Sequence, residues 1–391
     1  MYPSESYRPL SSRSGSFLAL ALLLLSAMPR GMAQAPTKPF VFDPSDPRES
    51  VADDAPKPPF VSSARRLLTA PELPDAPDQW ISNSLEWVNF ILANYHPALV
   101  EPPVRRAALI RLDDILHIES APRKAVVQQY YRARLEAALR EIETTRVTSG
   151  LRIWKLYNHG FLVRTASVSL AFDIVPGTRE PGFAMPQEWI ERLAKQADAL
   201  FISHLHGDHA NQTVAGAFIA LGKPVVAPDD VWPGDTGLSK SITRLARNTG
   251  PAQSLALASG QKLSVVPYPG HQGPRVMVNI TLVTTPEGFT VVQTGDQSGT
   301  EAAGGDFDWI AQIGRDQKVD ILMPNCWANG LGRMVRGINP ALVITGHENE
   351  MGHKVDHRED YTQTYTRLFP IRYPAIVMTW GESFTYQRPL R

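Results

Sequence analysis

Leu200-Phe201-Ile202-Ser203-His204-Leu205-His206-Gly207-Asp208-His209 is the stretch on which the reading of this chain turns. A short apolar run rich in strand formers ends in three histidines and an aspartate, and Ala210-Asn211 then leads into the helix-compatible run Val214 to Leu221. A strand that stops in a tight, glycine-containing loop puts such side chains at the rim of a sheet, where alternate residues turn inward together. His204 and His206 can then share one ion, and Asp208 with His209 is placed to hold a second beside it. A lone loop histidine is ordinarily a satisfied polar residue. Four imidazole or carboxylate groups within positions 204 to 209 make a donor set instead.

Three further strand ends carry matching residues. His271 follows Pro269-Gly270, Asp296 closes a hairpin strand after Thr294-Gly295, and His347 follows Ile344-Thr345-Gly346, with His353 and His357 close behind. A glycine beside each polar residue permits a sharp turn and close approach to an ion.

His-x-His-x-Asp-His after an apolar strand resembles the signature of the metallo-β-lactamase superfamily. The resemblance covers about Leu151 to Arg391 and implies an α/β fold, the four-layered αβ/βα sandwich, here preceded by an α-helical N-terminal segment. It implies that His204, His206 and His271 hold one metal ion and Asp208, His209 and His347 another, with Asp296 bridging them. Two divalent ions roughly 3.5–4 Å apart bind a water between them and lower its pKa towards neutrality, which makes the expected reaction a hydrolysis. Zinc is the expected metal, and an all His/Asp donor set also admits manganese or iron. Asp208 is the expected catalytic residue beside the ions. A leaving group needs a proton, for which His353 is the first candidate and His159 stands behind it.

The turn Tyr157-Asn158-His159-Gly160 before an apolar strand, and Asp173 ending the next strand, resemble the lactonase-like branch that includes L-ascorbate-6-phosphate lactonase and, more distantly, N-acyl phosphatidylethanolamine phospholipase D. The branch implies a small-molecule or lipid-like substrate, with a lactone or phosphodiester preferred to a β-lactam. Trp380-Gly381-Glu382 resembles a Gly-Glu ending of the same branch, with an architectural role.

The chain has 391 residues, 43% of them hydrophobic, which suffices for one large domain with an appendage. Lys+Arg and Asp+Glu are equal at 39 each, so no net field recruits nucleic acid, and no basic run with interleaved aromatics marks a nucleic-acid channel. Arg8 and Arg13, the apolar run Phe17 to Met28 and Ala33-Gln34-Ala35 read as a signal peptide over residues 1–35, hence a secreted or periplasmic protein with no membrane span after cleavage. An uncleaved N-terminal anchor is the alternative. The single cysteine, Cys326, excludes an internal disulfide and reads as a small buried residue. The sequence leaves the oligomeric state open.

Residues 36–80 are a proline-rich arm or linker, residues 81–150 a helical segment, and residues 151–391 the hydrolase domain. In the helical segment Leu85, Val88, Ile91 and Leu92 make one apolar face with Asn83 or Ser84 as its cap. Val104, Ala108, Leu112, Ile115 and Leu116 make a second face after Pro102-Pro103, and Val127, Tyr131, Leu135, Ala138 and Ile142 a third, starting at Ser120 and Pro122. The segment could be a lid, a dimerisation element or a cap that shapes the substrate site. The rival to an enzyme is a non-catalytic, metal-stabilised binding module acting through these helices.

Overall fold

A computed structural model describes residues 77–234, 237–298 and 305–388. The expected signal peptide and nearly all of the proline-rich arm lie outside these residues. Helix α1 (Asp78–Asn94) begins on Pro77, nearly two turns before the expected cap, because the apolar spacing continues backwards through Ile81. Ser84 is therefore buried inside the helix, and Asn83 accepts from Gln79 Nε2 at 2.8 Å. Helix α2 (Pro103–Leu116) starts with proline at its first position, as expected. Ser120 and Pro122 belong to a separate 3₁₀ turn over Ala121–Arg123, and extended Lys124 precedes α3 (Ala125–Thr144).

The sandwich follows. Its elements are β1 (Leu151–Lys155), β2 (Phe161–Arg164), β3 (Ser169–Phe172), α4 (Gln187–Gln196), β4 (Ala199–Phe201), α5 (Gln212–Ala220), β5 (Val225–Val226), β6 (Ile242–Thr243), β7 (Gln253–Ala256), β8 (Lys262–Gln272), β9 (Val276–Thr284) and β10 (Thr290–Gln293). They continue with α6 (Asp306–Asp316), β11 (Ile321–Met323), α7 (Leu331–Ile338), β12 (Leu342–Ile344), α8 (Tyr361–Leu368), β13 (Ala375–Ile376) and β14 (Glu382–Tyr386). One seven-stranded sheet has the order β14-β1-β2-β3-β4-β5-β6, and a second has β13-β12-β11-β10-β9-β8-β7. The first is antiparallel as far as β3 and parallel beyond it; the second is parallel from β13 to β10 and antiparallel beyond.

Alternation along the strands builds the layers. Phe161, Val163, Leu170 and Phe172 of the first sheet share one core with Val265, Val291, Ile321, Met323 and Ile344 of the second. The intervening Leu162 and Ala171 turn outward onto α1 to α5, and Leu322 and Val343 turn outward onto α6 and α7. The result is helices, sheet, sheet, helices. Helices α1 to α3 pack on this sandwich, since their apolar faces share one cluster with α4, α5 and the first sheet.

A buried ion pair fixes the helices to the sheet edge. Arg105 of α2 donates from both terminal nitrogens to the Glu382 carboxylate on β14, each at 2.7 Å, and also to the carbonyls of Val377 and Tyr95. Glu382 also accepts from the Thr379 backbone N–H, which gives the Trp380-Gly381-Glu382 ending its architectural role. Cys326 is buried, in agreement with its reading. Among the described residues no helix is long and apolar enough to cross a membrane.

Candidate metal centre

Parallel strands deliver their carboxyl ends to one edge of each sheet, and polar residues that follow the apolar runs collect there. Asp173 follows β3, Ser203 to His209 follow β4, Asp296 follows β10 and His347 follows β12, while Asn158 and His159 lie in the β1–β2 turn. Asp173 and His347 have φ of 44° and 75°, a left-handed region that few non-glycine residues enter and that Asp and His adopt more readily than most. The two sheets meet closely at this edge. A Cβ on Gly295, whose φ is +50°, would lie 2.4 Å from the Ser203 Cβ, and one on Gly346 would lie 2.2 Å from the His159 Cδ2.

Three groups of potential ligands form here, of which one (His159, Asp173 and His209) lies behind the other two. Asp208, His209, Asp296 and His347 have ligand atoms within 4.8 Å of one another, as do His204, His206 and Asp296. Asp296 belongs to both. His209 Nε2 lies 3.2 Å from Asp296 Oδ1 and 3.3 Å from Asp208 Oδ2; His347 Nε2 lies 3.3 Å from Asp208 Oδ2 and 3.6 Å from Asp296 Oδ2. His204 Nε2 is 3.7 Å from Asp296 Oδ2. These Nε2 atoms and Asp296 Oδ1 are buried without a hydrogen bond. Buried polar atoms are seldom left so, and cations facing these lone pairs would satisfy them, so the residues fit divalent ions.

The electrostatics agree. Burial, reinforced by the neighbouring His209, holds His204 well below the ordinary histidine range, hence neutral and able to donate a lone pair. Burial opposes charge on His209 and His347 as well, yet Asp296 and Asp208 carry both well above that range, with Asp173 adding to the effect on His209. Asp208 and Asp296 are held below the carboxylate range by the same histidines, against burial. Without ions, protons on His209 and His347 supply the positive charge that the carboxylates demand. An entering cation displaces those protons, so uptake weakens as pH falls.

Orienting groups surround the donors. Asp173 accepts from the Ser203 N–H (2.7 Å), the Ser203 hydroxyl (2.6 Å) and Gln293 Nε2 (2.9 Å), and its Oδ2 lies 2.8 Å from His209 Nδ1. That contact aims Nε2 of the ring at the donor group. Asn158 Nδ2 donates to the Asp208 carboxylate at 3.2 Å and to its carbonyl at 3.0 Å, and Gln272 Nε2 donates to Asp296 Oδ2 at 3.1 Å. Asp173→Asn sets an amide donor among these donors and is expected to lower metal affinity by roughly 10–100-fold in a competition titration with a chromophoric chelator. Unchanged affinity would show that Asp173 does not set the ring's orientation.

Three expected site residues sit differently from one another. His271 is the penultimate residue of β8, paired with Met277, and so stands close to the strand end expected for it. Pro267 and Pro269 do not stop this strand. The Pro267 carbonyl accepts from Asn248, so the missing N–H faces away from β9 and past the end of β7, where no ladder bond is lost. His271 joins neither donor group, and its Nδ1 lies 3.0 Å from Asp306 Oδ2. His353 is at the rim of the centre, its ring centroid 5.7 Å from that of His347 and its Nδ1 buried without a hydrogen bond. His159 is fully buried behind the donors, 5.8 Å from the His209 ring, with Nε2 3.2 Å from the Met323 carbonyl. Burial, then the His209 charge, pulls His159 down to about 3, so at neutral pH it has no proton to give as an acid. It supports the donors from behind.

Gln272, Gln293 and Glu359 also border the centre and lie outside the sequence motif; the Glu359 Oε2 is 3.6 Å from His347 Nδ1. The available signal was a polar residue at the end of an apolar strand, which Gln293 and Gln272 both show.

No family model and no curated protein matches the sequence. Among solved structures, the chain is similar to a metallo hydrolase from the archaeon Ignicoccus hospitalis, with 15% identity over 62% of this chain and 100% of that one and a TM-score of 0.45. It is also similar to an isothiocyanate hydrolase from Delia radicum gut bacteria, at 12% identity over 60% of this chain and 99% of that one, with a TM-score of 0.42. A third is a diiron β-hydroxylase from Streptomyces venezuelae, at 15% identity over 62% and 55% respectively, with a TM-score of 0.40. Two facing seven-stranded sheets between helical layers, with His-x-His-x-Asp-His at their shared edge, give this chain the four-layered αβ/βα sandwich expected from its sequence.

Proposed function

We propose that this chain is a metal-dependent hydrolase that holds two divalent ions and cleaves an ester-type bond, a lactone or phosphodiester rather than a β-lactam. One observation carries the reading: a buried carboxylate, Asp296, is shared by two donor groups whose imidazole Nε2 atoms at His204, His209 and His347 have no hydrogen-bond partner. His204, His206 and Asp296 hold one ion, and Asp208, His209, His347 and Asp296 the other. Bound ions supply Lewis-acid polarisation of the scissile group and a water nucleophile at neutral pH, with zinc the first choice of metal.

The chain's own residues do the rest. Asp173 and Asn158 fix the His209 ring and the Asp208 carboxylate, so little rearrangement is needed on ion binding. His353, at the rim beside His347, delivers the proton to the leaving group. The preference for lactone or phosphodiester draws on the Asn158-His159 turn and on Asp173, which resemble the lactonase-like branch. The apolar run Phe17 to Met28 supports export to a secreted or periplasmic location.

The test is turnover of a generic lactone and a generic phosphodiester by zinc-loaded protein. Hydrolysis of either, lost on chelation and regained on adding zinc, is expected. Protein that binds zinc yet leaves both substrates untouched would favour the binding-module reading. His353→Ala is expected to lower kcat roughly 10²-fold, at the low end of general acid catalysis, and to leave metal content unchanged. An unaltered pH–rate profile in that variant would remove His353 from the reaction.

A further inference from the structure

We propose that Asp113, on α2, is a positioning residue for the metal centre: it anchors the loop that carries His347 and His353, so that the N-terminal helices hold the Asp208–His209–His347 donor group in shape. The inference rests on the ligand assignment proposed above.

Asp113 is buried, and every hydrogen bond to its carboxylate comes from that loop or from the first turn of α8. Oδ1 accepts from Asn349 Nδ2 at 3.1 Å and from the Tyr361 N–H at 2.9 Å; Oδ2 accepts from the Thr362 N–H at 3.1 Å and the Thr362 hydroxyl at 3.2 Å. Asn349 stands two residues beyond His347. The next turn of α2 adds a second clamp. His117 Nε2 lies 2.7 Å from the Arg358 carbonyl, and Arg358 donates to the carbonyls of Leu116 (2.7 Å), Ile118 (3.2 Å) and His353 (2.9 Å).

The loop needs an outside anchor. His347 and Asn349, at φ of 75° and 55°, both adopt left-handed backbone, a conformation whose cost the surrounding contacts must offset. Asn349 in turn donates its N–H to the Glu359 carbonyl at 2.7 Å, and the Glu359 carboxylate faces His347 Nδ1 at 3.6 Å. The chain of contacts therefore runs from Asp113 through Asn349 and Glu359 to a ring that lies in the donor group. An amphipathic helix kept as a partner-binding surface leaves its charges in water. In α2, by contrast, both Arg105 and Asp113 are turned inward.

The test uses the full chain. Zinc is titrated into metal-free wild type, Asp113→Asn and Asp113→Ala, with the site lost in His347→Ala identifying the affected ion. In parallel, amide hydrogen exchange is followed over residues 349–362 in the metal-free proteins. Asp113→Asn is expected to weaken the His347 site roughly 10–100-fold, to leave the other site within about threefold, and to speed exchange in the loop. Leu109→Ala, on the apolar side of the same helix, is the structural control, expected to lower stability without this selectivity. Unchanged loop exchange overturns the anchor. Equal weakening of both sites also overturns it, in favour of a general loss of stability. Wild type that binds no zinc overturns the ligand assignment instead, and loop exchange then decides the anchor by itself.

Discussion

Asp296→Ala is expected to reduce bound metal from two ions to at most one and to lower hydrolysis at least roughly 10³-fold, beyond the usual cost of removing one electrostatic stabiliser. The asymmetry between the donor groups explains why this substitution outranks the others. Without Asp296 the first group keeps only His204 and His206, too few to hold an ion, and the second is weakened to the three donors Asp208, His209 and His347. Asp208→Ala removes a donor from the second group alone. Asp296→Ala also takes away the carboxylate that, against burial, helps draw positive charge onto His209 and His347. Metal analysis and turnover on the same preparation check the prediction. Two ions with undiminished hydrolysis would mean that Asp296 is not shared.

Lys155→Met is expected to destabilise the fold by about 3–5 kcal/mol, the cost of leaving a buried charge without its partner. Lys155 ends β1 on the same inward face as Leu151 and Ile153, fully buried between the sheets. Its Nζ donates to the carbonyls of Thr345 (3.1 Å) and Met378 (2.9 Å), which follow β12 and β13, and to the buried Glu348 carboxylate. One ammonium thus ties the first sheet to two strand ends of the second, beside the loop that begins at His347. Replacing it with a methionine of similar length keeps the volume but strands Glu348. Adding Glu348→Gln should recover part of the loss, because a neutral amide costs less to bury than a charge. Denaturant unfolding of metal-free protein measures this without interference from bound ions. A loss below about 1 kcal/mol would show that Lys155 contributes little to joining the sheets.

The donor residues that follow β4, β10 and β12 were legible because apolar runs of strand length ended in polar residues beside glycine. His204, His206, Asp208, His209, Asp296 and His347 all arrive at the sheet edge by that rule. His271 shows the same local pattern; its Nδ1 faces Asp306 at 3.0 Å, and it is not among the groups whose ligand atoms lie within 4.8 Å of one another. The start of α1 was misplaced: Asn83 and Ser84 are capping residue types, but the apolar spacing through Ile81 outweighs them. Asp113 was not legible at all. Its partners lie 236 to 249 residues away, and on a helix one charged residue among others reads as solvent-facing until tertiary packing turns it inward. Asn158 and Asp173 were visible as features of a turn and a strand end, while their partners Asp208 and His209 could be assigned only once β3 paired with β4 and the β1–β2 turn met the loop after β4.

Zinc stoichiometry by elemental analysis, on protein stripped of metal, reloaded and dialysed, tests the two-ion centre most directly. The shared-carboxylate geometry predicts two ions per wild-type chain and one each in His204→Ala and His347→Ala. One ion or none in the wild type, or two retained in both variants, would contradict it.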